Sequence, residues 1–113
     1  MQGLFPRLTV ASALLACASL FTACYPKSAD APGAISPTSV SWASEKWPGV
    51  TEASLVSGRE AFLAKCNGCH GYPDLAAISD DEWPSIVERM GGKSDLDAAK
   101  TKDVLHYVLA AKH

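Results

Sequence analysis

The sequence predicts an all-α domain of three helices, preceded by a leader and a tether. Three observations carry that prediction. After about residue 50, three stretches place apolar residues at three- and four-residue steps. No segment sustains the one-in-two alternation of a half-buried strand. Before residue 50 the chain divides into a short apolar run and a stretch rich in Pro, Ala, Ser and Gly, neither of which can bury a core. At 113 residues the chain holds one domain.

The first 23 residues read as an export signal. "MQGLFPR" carries a positive charge at Arg7, and the apolar run from Leu8 to Cys24 follows. That run is short of the roughly 20 residues a membrane-spanning helix needs. "LLAC" (Leu14–Cys17) and "FTAC" (Phe21–Cys24) each resemble a bacterial lipobox, in which the cysteine is acylated and becomes the new N-terminus. Cys24 is favoured because polar "YPKSADAPG" follows it. Cys17, with Leu14 upstream, is the alternative. Either implies a protein tethered by lipid outside the cytoplasm, in the periplasm. Tyr25 stands where an aspartate often signals inner-membrane retention, which points to the outer membrane.

Residues 24–50 read as a flexible tether. Within it, Trp42 and Trp47 are costly to leave in water and are expected to lie against the domain as groove-fillers. The domain itself is read as 51–113. Its first helix spans about Glu52 to Lys65, with Thr51 as cap and Leu55, Gly58, Phe62 and Cys66 on one face. Gly58 costs about 1 kcal/mol against alanine in mid-helix, so it predicts a close crossing there.

The second helix is "SDDEWPSIVERMGG". Ser79 and Glu82 have capping-box spacing, Pro84 suits a first turn, and Trp83, Ile86, Val87 and Met90 form one stripe. Gly91-Gly92 is expected to stop it. The third helix runs from about Leu96 to Lys112, with Asp95 as cap and Val104, Leu105, Val108 and Leu109 on its apolar face.

A net charge of −2 with no basic stripe excludes nucleic acid as a partner. Removing Arg7 with the leader takes the charge to −3. Two of the four cysteines lie in the leader, and the other two form "CNGCH", Cys66 to His70. A structural zinc site would need a second ligand pair, which the chain lacks. A thioredoxin-like redox pair would need a βαβ setting. Cys-x-x-Cys-His is the attachment signature of covalent haem: two thiols add to the porphyrin vinyl groups, and the adjacent histidine binds iron. A domain of about 70 residues also needs more than its own core to be stable, which a bound porphyrin would supply.

At these residues the chain resembles the small class I c-type cytochromes, over nearly all of the folded part from Leu55 to Leu109. "LVSGREAFLAKCNGCHG" is similar to the family's first helix and haem motif, and "DVLHYVLAA" to its last helix. The resemblance implies a compact cytochrome c-like fold around one covalent haem c, held by Cys66 and Cys69, with His70 as an axial ligand. It implies that Gly58 and Phe62 meet Tyr107 where the two helices cross. It also implies that the "WPSIVERM" block delivers Met90 as the sixth ligand, although the spacing from His70 is short for the family. A backbone carbonyl next to Pro73 or Pro84 would orient His70. Phe62, Tyr72, Pro73, Trp83, Ile86, Val87 and Tyr107 would line the pocket.

Met90 is the only methionine outside the leader. His106 and His113 are its competitors, and an open sixth position is the remaining arrangement. With Met90 bound, the expectation is a monomeric single-electron carrier rather than an enzyme, exchanging electrons with periplasmic or membrane redox proteins. A five-coordinate iron would suit a peroxidase-like enzyme or a gas sensor instead.

Overall fold

The computed structural model describes residues 27, 28, 30–66 and 71–113. The leader over 1–23, the acylation candidates Cys17 and Cys24, and the motif residues Cys69 and His70 lie outside the described residues.

The described chain is mostly helical, as expected, but with four helices rather than three. In chain order these are a two-residue strand β1 (Lys27–Ser28), α1 (Pro37–Lys46), α2 (Glu52–Lys65), a two-residue strand β2 (Tyr72–Pro73), α3 (Trp83–Lys93) and α4 (Ala98–Ala110). β1 and β2 pair antiparallel, Lys27 opposite Pro73 and Ser28 opposite Tyr72.

The unforeseen helix is α1, inside the stretch read as a tether. Local signals start it: Ser36 caps the first turn, its side chain accepting from the Ser39 N–H at 3.0 Å, and Pro37 opens the helix. Tertiary packing then holds it. Ala43 is fully buried with Leu55 of α2 and Ala110 of α4, and Trp42 and Trp47 pack alongside. A low-complexity average over residues 25–50 conceals a ten-residue helix of this kind.

α2 follows its sequence closely. Thr51 and Ser54 form a reciprocal capping box, at 3.2 Å and 3.0 Å, and the helix ends at Cys66, whose N–H bonds the Phe62 carbonyl at 2.9 Å. The central contact is α2 against α4. At Gly58 the approach is so close that a Cβ would lie 2.1 Å from the Asp103 carbonyl oxygen and 2.9 Å from the Tyr107 Cβ. One turn on, the Phe62 and Tyr107 rings meet edge to face with centroids 5.7 Å apart. The glycine and two aromatics expected at the crossing are therefore there.

The start of α3 agrees with Pro84 in a first turn, while the end of α3 and both ends of α4 differ from expectation. α3 begins at Trp83, and the Ser79–Glu82 pair closes the turn before it: the Glu82 carboxylate accepts from the Ser79 N–H at 3.1 Å and hydroxyl at 2.8 Å. α3 also runs through Gly91-Gly92 to Lys93. Gly91 is buried because the Thr101 hydroxyl of α4 would stand 2.6 Å from a Cβ there. The cap of α4 is Asp97, accepting from the Lys100 N–H at 2.7 Å, while Asp95 takes a positive φ in the turn between the helices.

Candidate cofactor site

The ends of α2 and α3, the loop between them and one face of α4 enclose a single apolar cluster. Its buried members include Phe62, Cys66, Ile78, Trp83, Ile86, Val87, Val104, Tyr107 and Val108. Tyr72 and Met90 are half-buried against it. Pro73 is buried at the β1–β2 pairing. The Tyr72 ring lies over Phe62 with centroids 6.1 Å apart. The expected pocket residues Phe62, Trp83, Ile86, Val87 and Tyr107 thus share one cluster with Cys66.

Periodicity explains how they converge. Trp83, Ile86, Val87 and Met90 recur at three- and four-residue steps, one stripe of α3, while Val104, Tyr107 and Val108 form the facing stripe of α4. Met90 is in the last turn of a helix that continues past it, not at a helix end. Its position on the cluster comes from that stripe.

Ile78, only 3% exposed, carried no periodic signal, because it sits in a loop of turns. α4's C-terminal end holds that loop: the Lys112 ammonium donates to the Ile78 carbonyl at 2.6 Å and pairs with Asp80. His113 Nε2 is 3.3 Å from the second Asp80 oxygen.

Electrostatics follow burial. Desolvation pushes the Cys66 thiol up to about 11, so it stays protonated at neutral pH and is a poor nucleophile while enclosed. Burial likewise raises the Tyr107 hydroxyl above the usual phenol range, offset in part by the nearby Arg59 guanidinium. A hydrogen bond from Lys112 leads the interactions that lower the Asp80 carboxyl. Among the described residues, two buried polar atoms lack a hydrogen-bond partner: Trp83 Nε1 and Tyr107 Oη. Both belong to the Cys66 cluster.

His106, a competitor for the iron, sits elsewhere on α4. It is 7% exposed, stacked on Trp47 with centroids 4.3 Å apart, and two residues from both Val104 and Val108, about 200° around the helix. Burial, aided by Lys102, lowers its pKa, so it packs as a neutral ring. His113 stacks on Trp42 at 4.1 Å. The two tryptophans therefore do lie against the domain, each covering a histidine.

Among the described residues no three His, Cys, Asp or Glu side chains gather as a metal site, and no helix is long and apolar enough to cross a membrane. No family model matches the chain, and no curated protein or solved structure matches it either.

Proposed function

We propose that the protein is a single-electron carrier built around one covalent haem c. Cys66 and Cys69 would hold the porphyrin through thioethers, with His70 and Met90 as the axial ligands of its iron. The observation that carries this reading is the setting of the motif. Cys-x-x-Cys-His starts at the last turn of a helix whose Gly58 and Phe62 cross Tyr107, and Met90 packs on the same apolar cluster as Cys66.

The described residues fit such a group. A porphyrin needs apolar walls and polar partners for its carboxylates. The cluster supplies walls from Phe62, Ile86, Val87 and Tyr107, and the unpartnered Trp83 N–H is a buried donor. Cys66 is a free thiol in the same cluster, unspent in any disulfide. When bound, the haem supplies a one-electron couple, which a neutral thioether ligand tunes towards higher potential than a second histidine would. The chain's own part is to exclude water from the ring, to hold Met90 on the helix stripe, and to keep His106 engaged with Trp47. We read the protein as anchored by lipid at Cys24 in the periplasm, exchanging electrons with other redox proteins.

The test is direct. Protein matured in an export-competent host, boiled in detergent and run on a gel, should stain for haem peroxidase activity; a colourless band refutes the cofactor. The oxidised protein should show a far-red methionine–iron charge-transfer band that Met90→Ala abolishes. High-spin ferric haem that binds cyanide at once, or a band that survives the substitution, refutes the ligand assignment.

A further inference from the structure

The segment read as a flexible tether, with only its tryptophans expected against the domain, is fixed to the domain at four places. Lys27 and Ser28 pair with Pro73 and Tyr72. Arg59, in the middle of α2, donates to the Gly33 carbonyl at 3.1 Å and to the Pro32 carbonyl at 3.0 Å. Trp42 stacks on His113, and Trp47 stacks on His106. Residues 27, 28 and 30–50 form a belt against the other helices.

That belt shortens the leash. Only Tyr25 and Pro26 separate Cys24 from Lys27. Whatever their conformation, three consecutive Cα steps span at most about 11 Å. A flexible tether over residues 24–50 would instead have an end-to-end distance of roughly 28 Å and leave every face of the domain free to meet the membrane.

We propose that the belt holds the β1–β2 edge of the domain against the bilayer to which Cys24 is acylated, so that a lipid surface is the standing partner of that edge. This rests on the reading of Cys24 as the lipidated residue. The end of the domain that carries Tyr72 and Pro73 then becomes the membrane-proximal end. The first turn of α2 becomes the distal end: Glu52 is ten residues from Phe62, about 15 Å along the helix, and Phe62 is the residue over which Tyr72 lies. A redox partner would then have to bring its own centre to the membrane surface.

The experiment uses the acylated, isotope-labelled protein in nanodiscs of phosphatidylethanolamine and phosphatidylglycerol carrying a headgroup chelator. Amide intensities are compared with gadolinium and with diamagnetic lanthanum loaded. The expected result is severe loss at Ser28, Tyr72 and Asp74 with Ser54 largely retained. Insertion of about twelve Gly and Ser residues between Pro26 and Lys27 should erase the contrast, since it lengthens the leash without touching the belt. Equal loss at both ends, or a contrast that survives the insertion, overturns the inference. So does mass spectrometry placing the acyl chain on Cys17, ten Cα steps from Lys27 and up to about 35 Å away. A contrast found in protein that fails the haem stain would uphold the orientation while the electron-carrier reading falls.

Discussion

Gly58→Ala should be more damaging than the same change at Gly91 or Gly92, and its size can be worked from the crossing. The added Cβ would stand 2.1 Å from the Asp103 carbonyl oxygen and 2.5 Å from its carbon, where ordinary contact begins at 3.4 Å. The obstacle is backbone, so no side chain can rotate away, and α4 must retreat by about 1.3 Å to restore contact distance. That retreat would loosen Phe62 against Tyr107 and strip contacts along the whole crossing. Overpacking of this kind costs about 3 kcal/mol or more, against a gain of about 1 kcal/mol from placing alanine in mid-helix, leaving a net loss of about 2 kcal/mol or more. Gly92→Ala is the internal control. Nothing lies within 4 Å of a Cβ there, so the same methyl should be neutral or stabilising by up to about 1 kcal/mol. Gly91→Ala should fall between, because its obstacle is the Thr101 side chain. Urea unfolding of the mature protein, followed by helical circular dichroism, gives the order. If Gly58→Ala costs no more than Gly92→Ala, the crossing is not where the structure puts it.

Three further perturbations have signs set by the structure. His106 is held neutral by burial, so its folded pKa lies below the unfolded value of about 6.5, and the unfolded chain binds more protons as pH falls. Stability should therefore drop from pH 7 towards pH 5, and His106→Gln should flatten that slope; an unchanged slope refutes the assignment. Asp80 is the opposite case: its lowered carboxyl pKa, due first to Lys112, contributes stability above the unfolded value of about 3.9 that is lost as pH falls through the folded value. Asp80→Asn should cost up to about 1 kcal/mol at pH 7, given the partial exposure of the pair, and the gap from wild type should narrow in denaturant titrations as pH falls below the unfolded value of about 3.9. Trp47→Ala removes the ring that covers His106 and should cost about 2 kcal/mol, less than full burial would imply because Trp47 is half-exposed. A loss below about 0.5 kcal/mol would mean the belt is not part of the folded body.

Legibility in the sequence followed how local each signal was. The Thr51 cap and the Trp83–Met90 stripe were readable, because spacing along one helix dictates which side chains share a face; Gly58 signalled a close crossing, and Tyr107 as its partner came from the family resemblance. α1 was not, since its sequence, Pro-Thr-Ser-Val-Ser-Trp-Ala-Ser-Glu-Lys, has no broad apolar stripe and is held by a single buried alanine and two flanking tryptophans. Gly91-Gly92 misled because glycine serves both to end a helix and to admit a neighbour, and only the position of Thr101 tells which. Asp95 and Asp97 carry the same capping signal two residues apart, and the choice falls to the turn that joins α3 to α4. At the site, Ile78 was hidden because a C-terminal lysine thirty-four residues away fixes its loop.

α4 is the wall the two halves of the molecule share. One side carries Val104, Tyr107 and Val108 into the cluster with Cys66 and Met90; the other carries His106 and Ala110 under the belt. Among the described residues the buried Trp83 Nε1 has no hydrogen-bond partner and lies in the Cys66 cluster; Tyr107 Oη, also without one, lies near the Arg59 guanidinium that holds the belt. Leaving such a group unpaired costs about 1–3 kcal/mol, and native interiors seldom tolerate it. The Cys66 side therefore has, at Trp83, a buried N–H that calls for an acceptor. That unpaired N–H favours the α3 side of α4 as the face a carboxylate-bearing porphyrin would occupy, whereas His106 is stacked on Trp47 as a neutral ring.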